Sequence, residues 1–225
     1  MTSNEIYNEQ YAPAFARLFI EHPLWQPKLA FNAKAIAALL KPLGIWLDTC
    51  CGQGWHLAQF PGHRRVGIDA SGAQLERARR QNRGVPFIEA DIAAYEFSGR
   101  QQFDLVTNFW SSYSYLNDEE QIRALVQKLV RWTAPGGALY LELTIPGTLA
   151  EFNESEFAAE TGTQVVVASP DEIHWQFHDP GGIHQMISPR VEFFNDLIAP
   201  HFAEVDSSVV IRSIRQFIAR NKNPD

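Results

Sequence analysis

The sequence contains two cysteines, Cys50 and Cys51, and they are neighbours. Oxidising adjacent cysteines would close a tight, strained ring. Free thiols in a reducing compartment are therefore expected. A zinc site needs about four ligands at workable spacing, and only His56 lies close to the pair, so no metal is expected. A C-x-x-C redox pair is also lacking. No apolar run approaches the ~18 residues that span a bilayer. The opening MTSNEIYNEQ lacks the charged-then-apolar pattern of a leader. A cytoplasmic protein with no membrane partner is the expectation. Positive charge is scarce too: 19 Lys and Arg against 26 Asp and Glu give a net charge of −7. The densest basic run, RARRQNR at 77–83, has the spacing of a solvated helix face. Nucleic-acid binding draws its affinity from a basic stripe, so no nucleic-acid partner is expected. An uncharged or cationic small molecule suits this balance better.

What is present is a chain of 225 residues, 45% of them hydrophobic, enough for the core of one domain. Residues 5–21 carry Ile6, Tyr7, Tyr11, Phe15, Leu18 and Phe19 at helical spacing, interrupted by Pro13. A second helix is expected over 28–40, and the two make an N-terminal helical cap over 1–43. From residue 44 short apolar strands alternate with amphipathic helices: strands at 44–49, 65–69, 86–91, 103–108 and 138–143, with helices from Trp55, Ser71 and Asn117. Ser71 reads as an N-cap, and Asn117 with Glu120 as a capping box. This alternation predicts an α/β fold, a Rossmann-like, mostly parallel seven-stranded sheet with helices on both faces. After Thr144 the rhythm changes. Residues 145–187 read as a partly antiparallel insertion turning at DPGG, 179–182. Ser188-Pro189 reads as a helix start, and 203–211 with 214–219 as a closing antiparallel pair.

The first strand ends in WLDTCCGQGWH, 46–56. Gly52 and Gly54 lead straight into a helix, where glycine permits positive φ and close approach of a ligand. In an open parallel sheet, ligands sit beyond the carboxyl ends of the strands. A dinucleotide fingerprint needs a third glycine, but that position is Leu57. Asp48 would also set a negative charge near a pyrophosphate, whereas it favours a cation.

This stretch resembles the first motif of class I S-adenosylmethionine-dependent methyltransferases, an acid followed by three spaced glycines, with Cys50 in the first glycine position. The resemblance runs over about residues 44–144. Asp69, followed by Ala70, lies 21 residues after Asp48 and resembles the acid that binds the adenosine ribose hydroxyls. Asp91-Ile92 resembles the pair that meets adenine, and Asn108-Phe109 the residues beside the sulfonium. PGG at 135–137 also fits. The resemblance implies S-adenosylmethionine as cofactor and methyl transfer as activity.

The substrate side is expected from three pieces: the N-terminal region with Tyr7, Tyr11 and Trp25, the stretch FWSSYSYL at 109–116, and the insertion with His174, Trp175, His178 and His184. Tyr11 and Tyr113 are candidates for holding cofactor or substrate. His174 and His178 share one strand face and are candidate bases. The stretch NFWS lacks the Asn-Pro-Pro-aromatic pattern of nucleic-acid amino methyltransferases, and carboxylates for a magnesium-dependent catechol type are absent. A small-molecule acceptor with N, O, S or C as nucleophile remains. Two alternatives stay open: attack at another sulfonium carbon, releasing methylthioadenosine, and a non-catalytic cofactor-binding module.

Overall fold

The computed structural model describes residues 6–99, 101–211 and 213–224. Part of the expected first helix, and all of residues 1–5, lies outside that range. Helix α1, Ala12–Phe15, carries Pro13 in its first turn and runs on as a π-helical turn over Ala16–Ile20. Pro13 thus sits in the first turn, where its missing N–H costs no helical hydrogen bond. A 3₁₀ turn, Pro23–Trp25, leads into α2, Gln26–Leu39.

The core alternates as expected: β1 Ile45–Thr49, α3 Trp55–Ala58, β2 Arg64–Asp69, α4 Gly72–Gln81, β3 Phe87–Glu89, β4 Phe103–Asn108, α5 Glu119–Trp132 and β5 Thr133–Thr144. Ser71 caps α4 by accepting the Gln74 N–H. Helix α5 is capped one residue later than the sequence suggested. Asp118 accepts the Gln121 N–H at 2.8 Å, and Asn117 bonds Gln121 Oε1 instead.

Strands β9, Phe202–Ile211, and β10, Ile214–Lys222, complete a seven-stranded sheet ordered β3-β2-β1-β4-β5-β10-β9. The first five strands are parallel, and β10 is antiparallel to β5 and β9. Side-chain alternation builds a core on each face. Leu47, Val106 and Leu139 pack with Ile122, Leu125 and Leu129 of α5. Their neighbours Trp46, Leu105 and Tyr140 pack with Ile36, Leu57 and Leu75 on the other face. Both faces being covered explains the apolar run ALYL, 138–141, of β5.

Between β5 and α7, Val191–Ile198, lies the insertion. It contains a helix the sequence reading missed, α6, Glu156–Thr161, and an antiparallel sheet of β6 Gln164–Val167, β7 His174–Asp179 and β8 Gly182–Ile187. Ser188-Pro189 does not start α7. Arg190 occupies the N-cap, and Ser188 is fully buried, accepting from Trp175 Nε1 at 3.0 Å and meeting Ser114 Oγ at 3.2 Å. Ser188 thereby ties the small sheet to the loop after β4.

Candidate active site

A cleft of about 780 Å³ lies beyond the carboxyl ends of β1, β2, β3 and β4, roofed by the N-terminal segment and the small sheet. One half is built by the strand-end loops. Asp48 is buried at the end of β1, and its Oδ1 accepts from Thr107 Oγ1 at 2.6 Å while Oδ2 has no protein partner. Burial pushes its carboxyl up to about 8, against the opposing Thr107 bond and helped by Asp69 and Glu142. Asp69 accepts Gly52 N–H at 2.8 Å and Ser71 N–H at 2.9 Å, which fixes the loop to the end of β2. Its carboxyl is also raised by burial, with those backbone donors opposing.

The two loop glycines do different work. Gly52 has φ +52°, and a Cβ there would meet nothing within 4 Å, so it leaves the cleft wall open. Gly54, φ +67°, is absent from the cleft lining. A Cβ on it would lie 2.9 Å from Asn82 Nδ2 and 3.2 Å from the Ala78 Cβ, so it serves packing of the loop on α4. Cys50 lines the cleft with φ +53°, the left-handed region that glycine takes at lower cost. Burial pushes both thiols up, so neither is a reactive thiolate. Ala70, Asp91, Ile92 and Phe109 all line the cleft. Asn108 does not. It is sealed beneath the loop with its Nδ2 3.1 Å from Thr49 Oγ1.

Phe109 stacks on His56, ring centroids 3.8 Å apart at 16°. His56 touches Asn32 at 3.3 Å, and Asn32 accepts from the Tyr140 hydroxyl at 3.1 Å. Burial, with Lys28 nearby, pushes His56 well down, so the ring is neutral. Behind Trp110, the fully buried pair Lys28–Glu142 sits at 2.8 Å with Lys28 Nζ 3.4 Å from the Trp110 ring centroid. Trp110 and Ser111 both hold positive φ. Glu142 holds them there, accepting the Trp110 N–H at 2.5 Å through its side chain and the Ser111 hydroxyl at 3.1 Å through its carbonyl.

The other half is aromatic: Phe15, Phe19, Trp25, Trp110, Phe152 and Phe177. Here the expected residues are redistributed. Tyr113 lies outside the cleft lining, 2% exposed, with its hydroxyl accepting Thr144 N–H at 3.2 Å and its ring edge-on to Phe194. Burial pushes its hydroxyl up to about 12. His174 and His178 do share a strand face, but Trp175, Phe177 and Asp179 on the opposite face line the cleft interior. His174 is exposed at the rim, and His178, absent from the lining, bonds Gln176 of its own strand at 2.9 Å. Tyr11 is buried behind the wall and donates to Asp179 Oδ2.

The residues that do meet in the cleft are Tyr7, Tyr115, Asp179 and His184. Tyr7 and Tyr115 hydroxyls are 2.8 Å apart, Tyr115 Oη is 2.9 Å from His184 Nδ1, and His184 Nε2 is 3.0 Å from Asp179 Oδ1. Asp179 had read only as a turn residue of DPGG. Its place on the alternate face to His178, beside Trp175 and Phe177, was the available signal. Gln74 was missed altogether. It lines the cleft with both amide atoms buried and without a protein partner.

This donor set fits a cation with hydroxyl groups. Asp48, Asp69 and Asp91 line the strand-end half, and no Lys or Arg appears among the described lining residues. Asp48 Oδ2 and the Gln74 amide are buried polar groups awaiting a partner. The strand order is that of a Rossmann-like sheet with the cleft beyond its strand ends. Residues 47–137 match the family model described as a methyltransferase domain, and S-adenosylmethionine is the cofactor of such a domain.

The sequence relatives are named as methyltransferases, and solved structures share the fold. The chain is 28% identical over 166 residues to a trans-aconitate 2-methyltransferase of Paracidovorax citrulli, covering 71% of this chain and 58% of that protein. It is 30% identical over 98 residues to the dTDP-4-amino-2,3,4,6-tetradeoxy-D-glucose N,N-dimethyltransferase of Saccharopolyspora spinosa, covering 43% and 39%. The matches thus span under two thirds of those relatives. Among solved structures, the SAM-bound amino pentose methyltransferase of Micromonospora echinaspora superposes with TM-score 0.59 at 22% identity over 88% of this chain and 92% of that one. A Pyrococcus horikoshii protein superposes with TM-score 0.72 at 18% identity over 95% and 99%. No helix among the described residues is long and apolar enough to cross a membrane.

Proposed function

We propose that this chain is an S-adenosylmethionine-dependent methyltransferase acting on a small-molecule acceptor. The observation that carries the reading is the acid-lined, cation-free strand-end half of the cleft, set beside an aromatic half. When bound, the cofactor supplies an electrophilic methyl group that an aligned nucleophile attacks directly. The protein's residues then have three tasks. Asp69 and the open backbone at Gly52 take the ribose, with Asp91 and Ile92 beside the adenine. Asp48 balances positive charge. Phe109, Trp110, Phe19 and Trp25 exclude water and hold the acceptor in line.

The substrate half favours a neutral or cationic acceptor. A polycarboxylate would face Asp179 and aromatic rings, with no Lys or Arg among the described lining residues. An amine or alcohol with an apolar flank finds ring faces and acceptor oxygens.

Purified protein incubated with methyl-labelled S-adenosylmethionine and a small-metabolite extract should yield a labelled product and S-adenosylhomocysteine. Methylthioadenosine with no methylated product would sink methyl transfer and favour attack at another sulfonium carbon.

A further inference from the structure

The chain Tyr7–Tyr115–His184–Asp179 has a direction, and its partners set it. Asp179 is surrounded by donors: Gly181 N–H at 2.7 Å and His184 Nε2 at 3.0 Å reach Oδ1, and the Tyr11 hydroxyl reaches Oδ2. A carboxylate has no proton to give, so Nε2 of His184 carries the ring hydrogen. The tautomer is assigned from these partners rather than from any located hydrogen. Nδ1 of a neutral ring is then a bare acceptor. The Tyr115 hydroxyl, 2.9 Å away, must donate to it. Having spent its hydrogen, Tyr115 Oη must accept from Tyr7 at 2.8 Å. Every proton in the chain therefore points toward Asp179, and Tyr7 Oη is left with lone pairs only.

Tyr7 lines the cleft, and its carbonyl accepts the hydroxyl of Ser71 at 2.5 Å, two residues beyond Asp69. The end of the chain is thereby anchored to the nucleotide half. The Asp179 and His184 side chains are 0% and 1% exposed, so bulk water is excluded from the far end.

We propose that Tyr7 Oη accepts the proton of the acceptor's N–H or O–H, and that Tyr115 and His184 relay it to the side of Asp179. This rests on the methyl-transfer reading above. The acceptor lone pair forms the new bond to carbon, and the electron pair of the breaking C–S bond stays on sulfur. The acceptor proton passes to Tyr7 Oη, the Tyr7 proton to Tyr115 Oη, and the Tyr115 proton to His184 Nδ1. An imidazolium then rests beside the Asp179 carboxylate, and once product leaves, the proton runs back along the same chain and passes from Tyr7 to water entering the cleft. The tyrosines act as conduits. Burial raises the Tyr7 and Tyr115 hydroxyls above their ordinary value, so neither is a phenolate base. The inference narrows the substrate: its nucleophile arrives with a hydrogen, so a tertiary amine, a thioether or an already ionised carboxylate does not fit.

The titratable groups facing His184 are Asp179 from its own hairpin, Tyr115 from the loop after β4, and Tyr7 and Tyr11 from the N-terminal segment. Two measurements test the relay. The first is the ¹⁵N shifts of the His184 ring in the protein loaded with S-adenosylhomocysteine. A proton on Nε2 and a bare Nδ1 are expected, with Nδ1 moving in Tyr115→Phe. A proton on Nδ1 in that resting complex overturns the proposal. The second is transfer to the acceptor identified from the extract. Tyr7→Phe and Tyr115→Phe keep the ring packing and are expected to lower kcat by ~100-fold with KM changed by less than about three-fold. Raising the pH toward ionisation of the acceptor should restore much of the loss, which a merely structural role would not do. Full kcat in both variants overturns the relay. Wild-type protein that fails to bind S-adenosylhomocysteine would strike the cofactor reading instead. Binding without transfer to anything in the extract would strike methyl transfer, and the ring nitrogens alone would then judge the chain.

Discussion

Binding of S-adenosylmethionine should release a proton from Asp48. This carboxyl is pushed up to about 8, chiefly by burial, with Asp69 and Glu142 adding to the effect. At pH 7 a group titrating there is about 0.9 protonated, and at pH 9 about 0.1. A cationic ligand against its unpartnered Oδ2 favours the ionised form and drives that proton off. Calorimetry in phosphate and in Tris, whose ionisation enthalpies differ, reads the number directly. About 0.9 proton per site is expected at pH 7, falling toward 0.1 at pH 9, and Asp48→Asn should lose the release. Repeating the titration with S-adenosylhomocysteine, which keeps the amino group and lacks the sulfonium, shows which cation drives it. Equal heats in the two buffers at pH 7 would refute the argument. The same shift has a consequence for the ligand-free protein. The folded value lies above the unfolded one of about 3.9, so this contribution to stability is fully present below pH ~4 and lost as pH rises through about 8. The free protein should therefore melt lower at pH 9 than at pH 6, and less of that difference should remain in Asp48→Asn.

Three further outcomes follow from the geometry. Glu142→Ala strands the buried Lys28 charge and removes the acceptor of the Trp110 N–H, so urea unfolding should show a loss of ~3–5 kcal/mol. Replacing both partners, Lys28→Met with Glu142→Gln, should recover most of it, and a single-variant loss under about 1 kcal/mol would contradict the account. Asp69→Ala removes the acceptor of Gly52 and Ser71 N–H as well as the candidate ribose ligand. Calorimetry should show S-adenosylhomocysteine binding weakened by ~10–100-fold, the worth of one charged hydrogen-bonding group. Tyr113→Phe should cost about 1 kcal/mol through the lost Thr144 bond, and His178→Ala within about 0.5 kcal/mol. Both should keep turnover, and a large loss of kcat in either would return that residue to the active site.

The strand-end half of the cleft was legible because it is local. A strand, an acid and a glycine turn recur at fixed offsets, and Asp48, Gly52, Asp69, Asp91 and Phe109 all reach the cleft from strand ends. Gly54 and Asn108 share that register but face inward, a matter of loop packing on α4 and under Thr49 that no offset reveals. The aromatic half was not legible in the same way. The alternation of β7 was visible, but which face meets the cleft depends on its pairing with β6 and β8. That pairing turns Trp175, Phe177 and Asp179 toward the cleft and His178 aside.

By itself the sequence determined the layered α/β architecture, because apolar periodicity dictates which elements can bury a face. It also determined the electrostatic character of the strand-end loops, because their acids stand at strand ends whatever the rest of the chain does. Tertiary structure alone decided which polar groups meet in the other half of the cleft. Tyr7 and Tyr115 are 108 positions apart, and Tyr115 and His184 are 69 apart. Their contact depends on the N-terminal segment, the loop after β4 and the small sheet closing over one cleft, and the direction of their hydrogen bonds depends on a carboxylate at the far end that the sequence presented only as a turn.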